Sequence, residues 1–311
     1  MGESQLNLLI GATGFVGGHV VEYLFQQGEI SKGAFRKGAH LKIMDLNGVQ
    51  GAEVDLLDHH SLHEAAEGVD TVYSMASPMP FGDEGFAEVN SKGLMNILEV
   101  AREAGVKTLV HLSTLDVYGF GSAKVTSSSK PSPRGEYQQS KLAADSFLLD
   151  AAAKEPSPKI TIVRAARAFG ARDETLAVPL LKMVESGAVA VSNSPALSFT
   201  HPKDIAQAMY QAASGGSGGK VYLVKSFDAT PMELGGAMTG AMGSPARVKA
   251  EGFFAKSKLP RYTAEQLKAG PRLESTEGWA ELGYAPKFGL VQTCEEIAKW
   301  YRKEPWVIEA H

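Results

Sequence analysis

Short apolar runs alternate with longer amphipathic segments through the first half of the chain. Runs of this length, rich in Val, Ile and Leu and bounded by Gly, Asp or Ser, are typical of buried strands. They lie at 6–10, 41–44, 71–75, 108–112 and 160–163. Helical patterns occupy the intervals at 15–27, 60–66, 86–104 and 137–153. This alternation predicts an α/β fold whose parallel sheet is covered by helices on both faces.

Composition narrows the class of protein without naming it. The 311 residues are 44% hydrophobic, enough for one large core, and the formal net charge is −4. This charge gives no electrostatic reason to expect a nucleic acid or an anionic membrane as partner. A single cysteine, Cys294, cannot form an internal disulfide. No apolar run approaches the roughly 18 residues of a membrane span, so we expect a cytoplasmic protein.

The first strand runs into the glycine-rich stretch GATGFVGG, which begins the first helix. Glycines at such a junction allow a tight turn and let the helix N-terminus approach a pyrophosphate. A Gly-rich turn without a ligand is the alternative, but the strand before it and the helix after it favour a dinucleotide site. We expect cofactor contacts from Gly11, Thr13, Gly14, Phe15, Val16 and Gly17.

A carboxylate at the end of the second strand would bind the adenosine ribose hydroxyls and repel a 2′-phosphate. Asp45 follows the run at 41–44 and predicts NAD rather than NADP. Arg36 and Lys37, in the preceding stretch SKGAFRKGA, are the alternative, because they could bind a phosphate. Asp55 and Leu56 are expected beside the adenine, although a surface acid at a strand end explains Asp55 nearly as well.

Seven motifs in order resemble those of the extended short-chain dehydrogenases/reductases, which include NAD-dependent epimerases/dehydratases and 3β-hydroxysteroid dehydrogenases. They are GATGFVG, EVNSKGLMNILEVA, HLSTLDVYG, YQQSK, IVRAARAFG, FTHPKDIAQAM and LGYAPKFGLVQTCEEIAKWYR. The resemblance implies a Rossmann-type doubly wound parallel sheet with a smaller C-terminal substrate-binding region. Residues 1–170 would bind NAD and carry the catalytic pair. Residues 171–311 would mainly bind the substrate, with some segments returning to the Rossmann core.

The resemblance also implies roles for individual residues. Tyr137, Lys141 and Thr114 match the catalytic positions, and Asn90 would support them. Further cofactor contacts are expected from Met75, Ala76, Ser77, Asn90, Leu112, Tyr137 and Lys141. Each of these residues could instead have a purely structural role, Thr114 as a cap at the end of a strand, for example.

Oxidising a secondary alcohol requires a base, and a free phenol with a pKa of about 10 is a poor one. Lys141 follows Tyr137 by four residues and shares its helix face. Its ammonium group, with the charge of NAD⁺, would favour the phenolate. Thr114 would hydrogen-bond the reacting oxygen.

The substrate is left open by departures from the family pattern. Leu197 lies near the place where sugar-nucleotide epimerases carry an arginine. Arg164, Arg167 or Arg172 could replace that arginine. Met75, Met79, Pro80 and Phe81 would give the pocket an apolar rim.

We therefore predict an NAD-dependent oxidoreductase that acts on a small-molecule secondary alcohol or ketone. The alternatives are a nucleotide-sugar epimerase or dehydratase with tightly bound NAD, and a non-catalytic NAD-binding regulatory protein. A homodimer formed through the helices at 86–104 and 137–153 is expected from the resemblance, and no metal is expected. HHSLH, at 59–63, is interpreted as a solvated helix N-terminus because the sequence brings it no acidic partner.

Overall fold

The computed structural model describes residues 5–77, 88–121, 124–251 and 257–303. The strands within these ranges are β1 (Leu6–Ile10), β2 (Ile30–Phe35), β3 (Gln50–Glu53), β4 (Thr71–Ser74), β5 (Thr108–Thr114), β6 (Lys124–Val125), β7 (Lys159–Ala165), β8 (Arg167–Ala168), β9 (Ala188–Val191), β10 (Leu197–Thr200), β11 (Lys220–Val224), β12 (Phe227–Ala229), β13 (Arg247–Ala250) and β14 (Arg272–Leu273). The α-helices are α1 (Phe15–Gln26), α2 (Lys42–Leu46), α3 (His59–Ala66), α4 (Leu94–Glu103), α5 (Glu136–Lys154), α6 (Ala177–Glu185), α7 (Pro202–Ser214), α8 (Pro231–Ala241), α9 (Arg261–Ala269), α10 (Trp279–Leu282) and α11 (Leu290–Lys303). No helix in these ranges combines the length and apolarity needed to cross a membrane.

Seven strands form one parallel sheet in the order β3-β2-β1-β4-β5-β7-β11. The strand order reverses between β1 and β4, and ligands of open α/β sheets bind outside the carboxyl ends of the strands at such a point. The predicted Rossmann-type fold is confirmed. β11 comes after β8, β9 and β10 of the smaller sheets along the chain and still forms an edge of the large sheet.

Hydrophobic packing covers both faces of the large sheet. Leu62, Leu98 and Leu148 bring α3, α4 and α5 against one face, and each is at most 2% exposed. Val20, Met209 and other apolar residues of α1 and α7 cover the opposite face. Full burial of each such side chain contributes about 1.5–3 kcal/mol of transfer free energy. A third core lies in the C-terminal region, where α6, α8 and α11 pack against the short strands.

The strand predicted at 41–44 is wrong, because these residues enter helix α2. The second strand of the sheet is instead β2, which pairs in parallel with both β1 and β3. Met44 is the buried residue of α2. A Cβ added to Gly33 would lie within 3.3 Å of the Met44 sulfur and methyl, and a Cβ added to Gly51 would lie 3.3 Å from that methyl. The apolar run therefore packs over β2 and β3 as a helical turn.

Candidate active site

The glycine loop meets the end of β4 at the point where the strand order reverses. Gly11 has φ +91°, and a Cβ added to it would lie 2.8 Å from the Ala76 nitrogen. A Cβ on Gly17 would lie 1.9 Å from the Gly11 carbonyl oxygen. Only glycine fits both positions, because one backbone requires positive φ and the other requires close contact between helix and strand.

The N-terminus of α1 is open to an anion. Its N-cap is Gly14, and among the described residues the helix has no side-chain capping hydrogen bond. The free N–H groups and the helix dipole form the kind of site that binds a diphosphate. Thr13, Phe15 and Val16 are half-buried around this turn. These features fit the diphosphate of a dinucleotide.

The residues that the sequence predicts at the adenosine end of the cofactor do not all lie where that prediction places them. Asp45 is exposed on α2 and is not at a strand end, so the reason for preferring NAD over NADP loses its premise. Arg36 and Lys37 directly follow β2 and are exposed. Asp55 follows β3 and accepts a 2.9 Å hydrogen bond from the Leu57 nitrogen.

Leu56, the other residue expected at the adenine, is held against the helix that begins after the undescribed segment 78–87. Its carbonyl oxygen accepts a 2.8 Å hydrogen bond from Asn96 Nδ2. A Cβ added to Gly93 would lie 3.1 Å from the Leu56 Cβ. Leu56 is thus fixed beside the π-helical turn Val89–Gly93.

That π-helical turn places Asn90 in a chain of hydrogen bonds. The Ser77 hydroxyl donates to Asn90 Oδ1 at 3.1 Å, and Asn90 Nδ2 donates to the Ser140 hydroxyl at 3.0 Å. Ser140 in turn donates to the Tyr137 carbonyl oxygen at 2.9 Å. The chain joins the loop after β4 to the first turn of α5, and Ser77 also lies within hydrogen-bond reach of the Tyr137 phenol.

Lys141 is buried one turn along α5 from Tyr137. Its Nζ donates to the Leu112 carbonyl oxygen at 2.9 Å and lies 3.3 Å from His111 Nε2. His111 Nδ1 lies 3.2 Å from the Ser74 hydroxyl, so both ring nitrogens of this buried residue have a polar neighbour. The ammonium group is therefore fixed against the carboxyl end of β5.

Burial perturbs both titratable groups of the pair. It raises the pKa of the Tyr137 phenol, and the Asp116 carboxylate raises it further, while Ser77 and the Arg167 charge oppose the rise. Burial lowers the pKa of Lys141 to about 8, although the Asp145 charge opposes this shift. In the free protein Tyr137 thus holds its proton, and Arg167 supplies a positive charge that favours the phenolate.

Thr114 ends β5, and its hydroxyl accepts a 3.1 Å hydrogen bond from the Asp116 nitrogen. The Asp116 carboxylate is buried and accepts hydrogen bonds from the Tyr262 hydroxyl at 2.7 Å and from Gln266 Nε2 at 2.8 Å. The Tyr262 ring makes an edge contact with the Tyr137 ring, with centroids 5.5 Å apart. Helix α9 therefore packs beside the proposed catalytic tyrosine.

These three neighbours were not predicted from the sequence. Asp116 could have been noticed as an acid two residues after Thr114. Tyr262 and Gln266 have no local signal, because only the tertiary fold brings α9 to this edge.

Two of the three arginines considered for the substrate are hydrogen-bonded through two nitrogens each, whereas Arg167 pairs with Asp173 through Nη2 alone among the described residues. Arg164 donates from Nε to Asp145 at 2.8 Å and from Nη1 to the Tyr118 hydroxyl at 3.0 Å. Arg172 forms a two-point contact with Glu22, with N–O distances of 3.1 and 3.0 Å. Both therefore act as structural residues within the described chain.

The other sequence interpretations have mixed outcomes. Leu197 is buried in β10, whereas Met79, Pro80 and Phe81 lie outside the described residues. HHSLH does gain acidic partners: ligand atoms of His59, Glu99 and Glu103 all lie within 4.8 Å of one another. These three residues meet on the surface between α3 and α4, and the sequence alone did not predict that they would.

Together the glycine loop and the Tyr–Lys pair define a Rossmann-type protein with buried titratable groups at the carboxyl edge of its sheet. Residues 7–224 match the NAD dependent epimerase/dehydratase family. The match spans more than half of the chain, so the chain belongs to that family.

Curated relatives include dehydrogenases and an epimerase. The sterol-4-alpha-carboxylate 3-dehydrogenase, decarboxylating, of Bos taurus is 31% identical over 187 residues, covering 58% of this chain and 51% of that protein. Sterol demethylase protein B of Methylococcus capsulatus is 24% identical over 324 residues, covering 95% and 98%. An undecaprenol-linked N-acetylglucosaminyl 4-epimerase of Escherichia coli O157:H7 is 29% identical over 190 residues, covering 58% and 54%.

Solved structures share the fold over nearly the whole chain. UDP-glucose-4-epimerase from Stenotrophomonas maltophila, with bound NAD and formylated UDP-arabinopyranose, superposes with a TM-score of 0.85 at 18% identity, covering 98% of this chain and 99% of that one. A dTDP-glucose 4,6-dehydratase from Bacillus anthracis in complex with NAD gives 0.78 at 18% identity, covering 97% and 98%. At these identities the likeness establishes the fold.

Proposed function

We propose that the protein is a nicotinamide-dependent oxidoreductase that interconverts a secondary alcohol and a ketone, with Tyr137 as the acid/base. One observation carries the proposal. Tyr137 and Lys141 lie one helical turn apart beside the carboxyl ends of β4 and β5, at the same edge of the sheet as the N-terminus of α1. This edge is where the family's dinucleotide would lie.

Each residue at this edge has a task in that reaction. Reducing a ketone adds a hydride at carbon, which the bound nicotinamide would supply, and a proton at oxygen. Tyr137 donates that proton, and its raised pKa keeps the proton in place until substrate binds. Asn90 holds the first turn of α5 through Ser140, so that the phenol is oriented before reaction.

Lys141 and Thr114 complete the arrangement. Lys141 is anchored to the Leu112 carbonyl oxygen, and its ammonium group would hold the ribose of the nicotinamide when the cofactor binds. The Thr114 hydroxyl, which accepts from the Asp116 nitrogen, keeps its proton free to donate to the reacting oxygen. Two donors, one phenolic and one alcoholic, would then hold that oxygen.

The form of the cofactor is a separate proposal. Residues Arg36 and Lys37 directly follow β2, the position at which an acid selects NAD and a basic residue accepts the 2′-phosphate of NADP. Asp45 is on α2 and cannot take that place. We therefore propose that the site accepts NADP(H) at least as well as NAD(H).

The substrate is proposed to be a non-nucleotide alcohol or ketone bound mainly by residues beyond 171. Leu197 is an apolar, buried residue near the place where nucleotide-sugar enzymes of the family carry an arginine. Two of the curated relatives are named for sterol substrates. Both observations favour an alcohol that carries no nucleotide.

We also propose a homodimer through α4 and α5. Met95 is 50% exposed on α4, and together with Leu98 and Phe147 it lines a groove between these helices. Met95→Lys would place a charge in that groove and should shift the protein to monomers in sedimentation analysis. An unchanged mass for the variant, or a monomeric wild type, would contradict the proposal.

The catalytic proposal is tested by Tyr137→Phe, with Tyr301→Phe as the matched control. Tyr301 lies on α11, and its hydroxyl donates to Glu185, an exposed contact. A panel of secondary alcohols and ketones would be followed at the nicotinamide absorbance band. Losing a positioned acid/base costs roughly 10²–10⁴-fold in rate. We expect this loss for Tyr137→Phe with unchanged dinucleotide affinity, and near-wild-type turnover for Tyr301→Phe. Full activity of Tyr137→Phe would rule out the assignment.

A further inference from the structure

Arg167 enters the candidate active site just beyond the end of β7. Thr114 and Ala165 are register partners in the pairing of β5 with β7, and Arg167 follows Ala165 by two residues. Its charge acts on both the Asp116 carboxylate and the Tyr137 phenol. The guanidinium thus lies within electrostatic reach of the proton-transfer group.

Within the part of the chain that the structure describes, the partners of Arg167 contact one of its three nitrogens. Nη2 lies 3.4 and 3.3 Å from the two Asp173 carboxylate oxygens and also contacts the Thr175 hydroxyl. Nε is buried and has no hydrogen-bond partner among the described residues. The side chain is 9% exposed, so water gives little compensation for the donors left over.

Asp173 is also shared with other donors. Its Oδ1 accepts from the Thr175 nitrogen at 2.9 Å, from the Thr175 hydroxyl at 2.7 Å and from the Leu176 nitrogen at 3.2 Å. These contacts are shorter than either distance to Arg167. The Asp173 carboxylate therefore bonds mainly to Thr175 and Leu176, which follow it in the chain. It neutralises the charge of the Arg167 guanidinium only in part.

The two neighbouring arginines show what a satisfied guanidinium looks like in this segment. Arg164 uses Nε and Nη1 at 2.8 and 3.0 Å, and Arg172 uses both terminal nitrogens at 3.1 and 3.0 Å. Among the three, Arg167 has the longest distances to its carboxylate partner and, within the described residues, a buried donor without an acceptor. It is also the one whose charge acts on Tyr137.

We propose that Arg167 binds an anionic oxygen group of the substrate, a carboxylate or a phosphate, close to the carbon that is oxidised or reduced. This inference rests on the proposed oxidoreductase function and adds the substrate class. A guanidinium presents a planar set of N–H donors that matches such an anion at two points. The bound anion would accept from the free donors of Arg167 and offset a cation that Asp173 neutralises only in part.

The test uses the protein saturated with NADP⁺ or NADPH and pairs of ketones that differ only in charge. Acetoacetate is compared with methyl acetoacetate, levulinate with methyl levulinate, and dihydroxyacetone phosphate with dihydroxyacetone. The variants are Arg167→Gln, which removes the charge, and Arg167→Lys, which keeps the charge and loses the planar donors. Arg261→Gln, at a side chain that is 93% exposed on α9, is the control. Dinucleotide binding and thermal unfolding report whether each variant is folded.

We expect the wild type to use at least one anionic ketone with a kcat/KM at least 10-fold above its neutral counterpart. Arg167→Gln should abolish that preference mainly through KM, and Arg167→Lys should keep part of it. The carboxylate and phosphate pairs show which anion is bound. Because the Arg167 charge favours the phenolate, Arg167→Gln should also move the tyrosine-dependent limb of the pH profile to higher pH.

Calorimetric titration of acetoacetate, levulinate and dihydroxyacetone phosphate separates this inference from the catalytic one. Binding that Arg167→Gln weakens at least 10-fold, without turnover of any ketone, would support the anion site and reject the oxidoreductase. Turnover without preference for the anionic partner, or a loss shared equally by Arg167→Gln and Arg261→Gln, would overturn the anion site. Absence of both turnover and Arg167-dependent binding would overturn both.

Discussion

The Tyr262 hydroxyl donates a 2.7 Å hydrogen bond to Asp116 Oδ2, although 146 residues separate the two along the chain. Gln266 reaches the same carboxylate from the next turn of α9. These contacts attach the C-terminal region to the carboxyl edge of the large sheet beside Tyr137. The geometry of the candidate active site therefore depends on packing between the two parts of the chain.

Replacing Tyr262 by Phe tests the strength of that attachment. Asp116 is buried, and a hydrogen bond to a charged group contributes about 1.5–3 kcal/mol. We expect Tyr262→Phe to lower the free energy of unfolding in urea by about this amount. Tyr301→Phe, which removes a contact with a more exposed carboxylate, should cost well under 1 kcal/mol. Equal losses for the two variants would show that the Asp116 contact adds no special stability.

The second prediction concerns the glycine loop. It compares two Gly→Ala variants, both at helical positions. In Gly17→Ala the new Cβ would lie 1.9 Å from the Gly11 carbonyl oxygen, so α1 must move away from β1. We expect at least a 10-fold loss of dinucleotide affinity, measured by calorimetry, together with lower stability.

Gly236→Ala is its matched control, since a Cβ at this exposed position in α8 meets no atom within 4 Å. It should leave binding unchanged and raise stability by about 0.5–1 kcal/mol, because alanine favours the helix. Normal dinucleotide binding by Gly17→Ala would show that the close contact of α1 and β1 is not needed.

Features of the fold with a local cause could be predicted from the sequence. β1, the glycines and α1 follow one another between residues 6 and 26, and each has its own periodicity or turn signal. Lys141 was correctly placed on the same helix as Tyr137, because a spacing of four residues fixes this. Their catalytic roles stay predictions.

Features with a tertiary cause could not be predicted in the same way. β2 has the sequence ISKGAF, whose lysine and glycine weaken its strand pattern, whereas the apolar run at 41–44 resembles a strand more closely. Pairing with β1 and β3 decides between them. The contacts of Asp116 with α9 likewise depend on two segments meeting in space.

Cofactor preference gives a third prediction, centred on Arg36. Arg36→Ser removes the basic group that follows β2, and contacts of a charged donor with phosphate are worth about 1.5–3 kcal/mol. We expect NADPH affinity to fall by about 10- to 100-fold while NADH affinity changes little. Arg261→Ser, at an exposed side chain of α9, is the control and should change neither. A parallel loss of both affinities would place Arg36 away from the 2′ position, and a wild type that prefers NADH would restore the original NAD prediction.

The last prediction concerns the stability of the fold in acid. It rests on His19, a buried residue of α1 that contacts the segment after β8. Burial, followed by the Arg172 charge, lowers the pKa of His19 to about 4. Burial raises the pKa of Glu22, but its hydrogen bond with His19 and the Arg172 charge outweigh this and hold it at about 2. Both groups bind protons more readily in the unfolded chain, so each makes stability fall as pH falls.

The two groups act in different pH ranges. An ordinary histidine takes up its proton near pH 6.5, so the His19 effect develops between about pH 6.5 and 4, and one pKa unit corresponds to about 1.4 kcal/mol. The Glu22 effect follows between about pH 4.5 and 2. Urea unfolding across this range should show His19→Gln flattening the upper part of the fall and Glu22→Gln flattening the lower part. His60→Gln, whose side chain is 82% exposed, is the control and should leave the profile unchanged. A wild-type profile that is flat from pH 6.5 to 4 would contradict the burial of a neutral His19.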